Sequence, residues 1–118
     1  MKTIFSVLLI SLLFSFNAMS KLNIVVPGYN YCGLGNRGMD QVPVNELDSV
    51  CREHDICERA NKSRTGKYTS CACDRTFITS AFSVYGDSSL DMTQRNLARR
   101  FAKIIETRMN SVNCNALP

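Results

Sequence analysis

The chain has 118 residues, six cysteines, one histidine and a formal net charge of +4. That length holds one small domain, and with no internal repeat and no low-complexity segment it excludes solenoid arrays and long disordered linkers. The modest basic excess suits an acidic surface rather than a groove for nucleic acid, and no nucleic-acid partner is expected.

Residues 1–20 read as a secretory signal, with Lys2 at the positive start, an apolar stretch from Ile4 to Phe16 and the small-residue site Ala18-Met19-Ser20. The stretch is too short to span a bilayer comfortably, and no second one follows. Residues 21–118 are therefore predicted to form one exported domain with no transmembrane segment, working outside the cell as a monomer. Cleavage after Ser20 leaves 98 residues and lowers the formal charge to +3. All six cysteines fall in this part, and an even number in an oxidising compartment predicts three disulfides, each worth roughly 2–4 kcal/mol to a domain this small. A zinc site built from His54, Cys57, Cys71 and Cys73 is the competing reading. The export signal and an unfamiliar ligand spacing count against it.

From Lys21 to Pro43 the density of glycine and proline predicts an irregular loop. Asn45 is placed to cap a helix running to about Asn61, on which Leu47, Val50, Cys51, His54 and Cys57 recur at steps of three and four. Asn61 to Thr69 is polar and contains Gly66, so it reads as a turn; Asn61-Lys62-Ser63 is also a glycosylation acceptor if exposed. Thr69 or Ser70 then caps a second helix to about Val84, with Cys73, Phe77, Ala81 and Phe82 inward. A third helix, from about Asp91 to Met109, should bury Leu97, Phe101, Ile104, Ile105 and Met109 and turn Arg95, Arg99, Arg100, Lys103 and Arg108 mostly outward.

A short turn between the first two helices makes them antiparallel neighbours. Cys71 and Cys73 lie two residues apart and point to roughly opposite sides of the second helix, so only one of them faces the first. Six cysteines allow fifteen pairings. Geometry favours Cys57–Cys73, which would bring Asp74 within reach of His54, with Cys32–Cys51 tying the Gly-rich loop to the first helix and Cys71–Cys114 remaining. An imidazole held by a carboxylate has a defined tautomer, as a general base requires. The glycines of Tyr31-Cys32-Gly33-Leu34-Gly35 let successive carbonyl oxygens converge beside Asp55, a ligand set that suits a hard cation such as calcium.

These residues resemble the secreted phospholipase A2 superfamily, whose signature is a Tyr-Cys-Gly-x-Gly calcium loop followed by Asp-x-Cys-Cys-x-x-His-Asp-x-Cys. Here the first motif is Tyr31 to Gly35, the second Asp48-Ser49-Val50-Cys51-Arg52-Glu53-His54-Asp55-Ile56-Cys57, and a later Cys-x-Cys-Asp motif is Cys71-Ala72-Cys73-Asp74. The entry Pro27-Gly28-Tyr29-Asn30 and the Gly33-Leu34-Gly35-Asn36 turn are similar to the compact phospholipase domain of parvovirus capsid proteins. The resemblance implies an all-α, disulfide-rich fold in which two antiparallel, disulfide-linked helices carry the active site, beside an N-terminal calcium loop and a third, C-terminal helix. It further implies hydrolysis of the sn-2 ester of glycerophospholipids at a membrane surface, anionic lipid included. His54 would be the base, Asp74 its orienting partner, and calcium would be held by Asp55 with the carbonyls of Tyr31, Gly33 and Gly35. The alternative is a catalytically silent relative, a toxin-like or receptor-binding disulfide module.

Four departures from the pattern stand out. Val50 replaces one cysteine of the usual pair. Glu58 stands where many members have a tyrosine that supports the second-helix aspartate. Only nine residues separate Asn61 from Cys71, too few for a large β-wing, and Leu22 to Val26 replaces the usual amphipathic N-terminal helix.

Overall fold

The computed structural model of the chain describes residues 24–114, so the expected signal segment, residues 1–20, lies outside them. Two short strands precede three helices: β1 (Ile24–Val25), β2 (Gly33–Leu34), α1 (Glu46–Thr65), α2 (Cys71–Gly86) and α3 (Met92–Ser111). The domain is small, mostly helical and stapled by three disulfides. No helix among the described residues is long and apolar enough to cross a membrane.

The loop predicted as wholly irregular contains a small antiparallel ladder, pairing Ile24 with Leu34 and Val25 with Gly33. The β-branched run from Ile24 to Val26 favours extended backbone. Gly33 makes the close pairing possible, because it sits at φ +133° and a Cβ there would lie 2.3 Å from the Ile24 carbonyl oxygen. Bonds from Val26 N to the Cys32 carbonyl (2.8 Å) and from Arg37 N to the Asn30 carbonyl (2.8 Å) close the loop on itself.

Each helix starts at a side-chain cap. Asn45 accepts from Asp48 N (2.9 Å), Ser70 from Cys73 N (3.3 Å) and Asp91 from Gln94 N (2.8 Å). These bonds satisfy amide donors that the first turn leaves without helical partners. The first helix runs one turn past the expected end at Asn61, because nothing in Lys62 to Thr65 breaks it and Gly66 is the first residue suited to the left-handed C-cap (φ 82°). Asn61 then folds the chain back, its Nδ2 donating to the carbonyls of Lys67 (2.7 Å) and Thr69 (3.1 Å). Asn61 is expected to be a glycosylation acceptor only if exposed. The nitrogen that would carry the sugar is engaged in two bonds, and the side chain is buried.

The core gathers Tyr31 and Cys32 from the loop, Leu47 and Cys51 from α1, Phe77, Ala81 and Val84 from α2, and Ala98 and Ala102 from α3. The α2–α3 interface is the most extensive and α1–α2 the next. Small residues at Ala98 and Ala102 let α3 approach closely, so its buried face is Gln94, Ala98, Ala102 and Met109. The inward assignment of Ile104 is corrected accordingly: it is 61% exposed. Gln94 joins the layers, accepting from Leu47 N (2.9 Å) in the first turn of α1 and donating to Asp91 (3.1 Å).

Disulfides link Cys32 to Cys51, Cys57 to Cys73, and Cys71 to Cys114, with Cα separations of 5.1, 5.7 and 5.6 Å. The first ties the loop to α1, the second joins α1 to α2, and the third fastens the end of α3 to the start of α2. Arg75 reinforces the last by donating to the Cys114 carbonyl (3.1 Å).

Candidate active site

Three residues of α1, His54, Asp55 and Glu58, line one shared surface. His54 and Asp55 are adjacent and Glu58 follows His54 by four, which puts His54 and Glu58 on the same helix face. Cys57 is bonded to Cys73, and stepping back along α1 to His54 while stepping on along α2 to Asp74 follows the antiparallel course of the two helices. The result is a 2.8 Å contact between His54 Nε2 and Asp74 Oδ1. Phe77, one turn further along α2, packs its ring 4.9 Å from the imidazole at a tilt of 53°.

Asp74 is almost wholly buried. Burial alone would push its carboxyl up, but hydrogen bonds from His54 and Arg108, with the charge of Arg108, outweigh it and hold the group below the usual carboxylate range. An ionised Asp74 accepts a hydrogen, so His54 carries its proton on Nε2 and presents the Nδ1 lone pair on the other side of the ring. Glu58 Oε1 lies 3.2 Å from the same Nε2.

Asp55 faces the loop, where Asn36 Nδ2 donates to its Oδ2 (3.3 Å). Burial raises its carboxyl to about 6, despite the opposing effects of Asn36, His54 and Arg59. The loop is held against α1 by Asp48, a fully buried carboxylate that accepts from the backbone amides of Asn30 (3.1 and 3.2 Å), Tyr31 (2.8 Å) and Val44 (3.0 Å). Tyr31 lies behind the loop, its hydroxyl donating to the Gln41 carbonyl (2.5 Å).

His54, Asp55, Gly33 and Gly35 line one open cavity of about 820 Å³. Its walls are apolar: β1 and its extension supply Ile24, Val25, Val26 and Pro27, while Phe101, Ile104 and Ile105 come from α3. Ile24, Leu34, Tyr68 and Ile104 are more than half exposed around it. Residues that would have been core on a simple helical wheel thus wall a groove instead. Of the sequence-predicted site residues, Gly33, Gly35, His54 and Asp55 meet on this cavity, with Asp74 behind His54.

Sequence reasoning missed Arg108, which it turned toward solvent. Arg108 reaches inward, its Nη2 bonding Asp74 Oδ1 (2.5 Å) and Glu58 Oε1 (2.9 Å) and its Nε bonding Asp74 Oδ2 (3.2 Å). A signal was present, since Phe101, Ile104, Ile105 and Arg108 follow helical spacing and all four line the cavity. Asp48 opens the second motif. An acid between Leu47 and Cys51, at the buried start of a helix, calls for backbone donors.

A family model described as a phospholipase A2-like domain matches residues 22–91. The chain is 41% identical over 61 residues to the capsid protein VP1 of Diatraea saccharalis densovirus, covering 52% of this chain and 7% of that protein. It is 34% identical over 71 residues to the phospholipase A2 large subunit of Chersonesometrus fulvipes, covering 50% of this chain and 69% of that one. The chain thus spans a small fraction of the viral relative and about two thirds of the other. No solved structure matches it.

Proposed function

Because the chain belongs to the phospholipase A2-like domain family, we propose that it is a secreted, calcium-dependent phospholipase A2 that cleaves the sn-2 ester of glycerophospholipids to a lysophospholipid and a fatty acid. The observation that carries this reading is the His54–Asp74 pair opening on an apolar-walled cavity that also takes in Asp55, Gly33 and Gly35. Export rests on the signal-like residues 1–20 and on three disulfides, which persist in oxidising compartments.

In this mechanism His54 Nδ1 removes a proton from a water molecule as that water attacks the sn-2 carbonyl carbon. The ester C–O bond then breaks and the proton passes from His54 to the departing alkoxide oxygen. Asp74 holds the ring in the required tautomer and stabilises the imidazolium while it carries the proton. The apolar walls from β1 and α3 take the acyl chain. The exposed rim of Ile24, Leu34 and Ile104, with the basic side chains of α3 nearby, suits contact with a lipid surface, anionic lipid included.

The residues present fit calcium: a half-buried carboxylate that burial alone disfavours in its charged form faces a loop of side-chain-free glycines, and carboxylate with carbonyl oxygens is a hard donor set. Asp55 and the main-chain carbonyls of Tyr31, Gly33 and Gly35 would hold the ion, which when bound supplies positive charge to the substrate phosphate and to the ester oxygen as it becomes an oxyanion.

The test is release of fatty acid from the sn-2 position of mixed phospholipid vesicles by the purified, oxidised protein. Release is expected with millimolar calcium and is abolished by chelation or by His54→Gln. Vesicles left intact with calcium present would refute the enzyme reading and favour a silent binding module.

A further inference from the structure

Two carboxylates approach one nitrogen of His54, Asp74 Oδ1 at 2.8 Å and Glu58 Oε1 at 3.2 Å. One N–H cannot serve both equally, and two acidic groups this close repel each other. Left to themselves they would share the ring proton between alternative geometries and leave the direction of Nδ1 undefined.

Arg108 removes the ambiguity. Its guanidinium takes both oxygens of Asp74, Nε to Oδ2 and Nη2 to Oδ1, and the same Nη2 reaches Glu58 Oε1. Binding both oxygens fixes the rotation of the Asp74 carboxylate, so that Oδ1 stays directed at His54. Holding Glu58 occupies the oxygen that would otherwise compete for the same ring nitrogen. Only a planar fork does both at once, and an ammonium in its place would be a single point charge.

The fork is itself anchored. Arg108 lies in the last turn of α3, where a cation is favoured by the helix dipole. The end of that helix is fastened to the start of α2 by Cys71–Cys114 and by the Arg75 bond to the Cys114 carbonyl. Asp74 stands three residues beyond Cys71, so the disulfide ties together the two elements that Arg108 must bridge.

We propose that Arg108 is a positioning residue of the hydrolytic site, clamping Asp74 and Glu58 together so that Asp74 alone sets the orientation and tautomer of His54. This rests on the reading of His54 as the base. It gives Glu58 a defined place as the second anchor of the clamp. It also makes α3, which carries no catalytic group, a determinant of turnover.

His54 is the only histidine in the sequence, so the ring nitrogen signals of the imidazole report this site without ambiguity. The full oxidised chain is compared with Arg108→Met, Arg108→Lys and the double variant Arg108→Met/Glu58→Gln, measuring kcat, KM and calcium dependence on phospholipid vesicles and the ¹⁵N spectrum of His54. Arg108→Met is expected to lower kcat about 10- to 100-fold, with KM and calcium dependence little changed and a spectrum of mixed tautomers in place of one protonated at Nε2. Arg108→Lys should recover only a small part of that loss. The double variant should recover about tenfold over Arg108→Met, since removing the competing carboxylate removes much of the need for the clamp.

Wild-type kcat and an unmixed Nε2-protonated spectrum in either Arg108→Met or Arg108→Lys would overturn the proposal, as would a double variant no better than Arg108→Met. Should Arg108→Met not fold, Arg108→Lys decides alone through its kcat and tautomer. Failure of the hydrolase reading is a separate result, seen as a wild-type protein that releases no fatty acid.

Discussion

Replacing Asp48 by Asn is the sharpest test of how the loop is held, because it removes the charge and exchanges one oxygen for an NH2 while keeping the shape. The buried Asp48 carboxylate serves three backbone amides, those of Asn30, Tyr31 and Val44. Hydrogen bonds to a charged group contribute about 1.5–3 kcal/mol each, and a buried donor left unsatisfied costs about 1–3 kcal/mol. An Asn accepts through one oxygen only and turns an NH2 toward amide donors, so at least one amide is orphaned and the rest lose charge assistance. The summed loss is about 2–5 kcal/mol, a large share of the roughly 5–15 kcal/mol typical of a domain. At about 4–8 °C per kcal/mol for a domain of this size, Tm should fall by roughly 8–40 °C. Thermal unfolding by circular dichroism with disulfides intact measures that fall. Amide hydrogen exchange should also lose protection at Asn30, Tyr31 and Val44 ahead of the α2–α3 core. A variant melting within a few degrees of wild type, with those amides still protected, would refute the assignment of the loop's anchorage to Asp48.

Asp55 has its carboxyl raised to about 6, so the folded state holds that proton more tightly than the unfolded chain. Its ionised form is a cost to stability, absent below the ordinary value of 3.8 and complete above about 6. In chelator at neutral pH, Asp55→Asn should therefore melt above wild type, and added calcium should raise only the wild-type Tm; scanning calorimetry with and without calcium checks both. Asp74 is shifted the other way, so its stabilisation is present above the ordinary carboxylate value and is lost as pH falls through its depressed folded value. The gap in Tm between wild type and Asp74→Asn should accordingly narrow on acidification from pH 5 to pH 2, and a gap independent of pH would contradict the ion-pair account. Asn61→Ala removes two bonds to turn carbonyls and should cost about 1–3 kcal/mol by urea titration, while mass spectrometry of wild-type protein expressed through a eukaryotic export pathway should find no glycan at Asn61.

Much of this architecture was legible because local signals agreed with one another. Asn45 and the Thr69-Ser70 pair offer strong caps, and helical spacing resumes at about Asp91; the three helices begin after Asn45, Ser70 and Asp91. The meeting of His54 with Asp74 was legible too, as a matter of residue offsets from a cysteine pair on antiparallel helices. What escaped was whatever depends on how large the neighbouring helix is. Two alanines on α3 let it sit deep against α2, which rotated Ile104 out of the core and brought Arg108 over Asp74. The β1–β2 ladder escaped for a similar reason, since it depends on the missing Cβ of a glycine eight residues away from its partner.

Helix α1 serves three different neighbours through side chains at fixed angular positions: Asp48, Cys51 and Asp55 toward the loop, His54 and Cys57 toward α2, and Glu58 toward Arg108 of α3. Because each added residue turns a helix by about 100°, a one-residue insertion anywhere between Asp48 and Cys57 would break the loop anchor, the base and a disulfide together. The chain between Gly66 and Ser70 is held by short-range bonds with Asn61, Lys62 and Thr65 and carries neither a disulfide nor a group of the base. Variation in length is thus tolerable at that turn and forbidden twelve residues earlier, so the stretch that carries the chemistry also works as the domain's ruler.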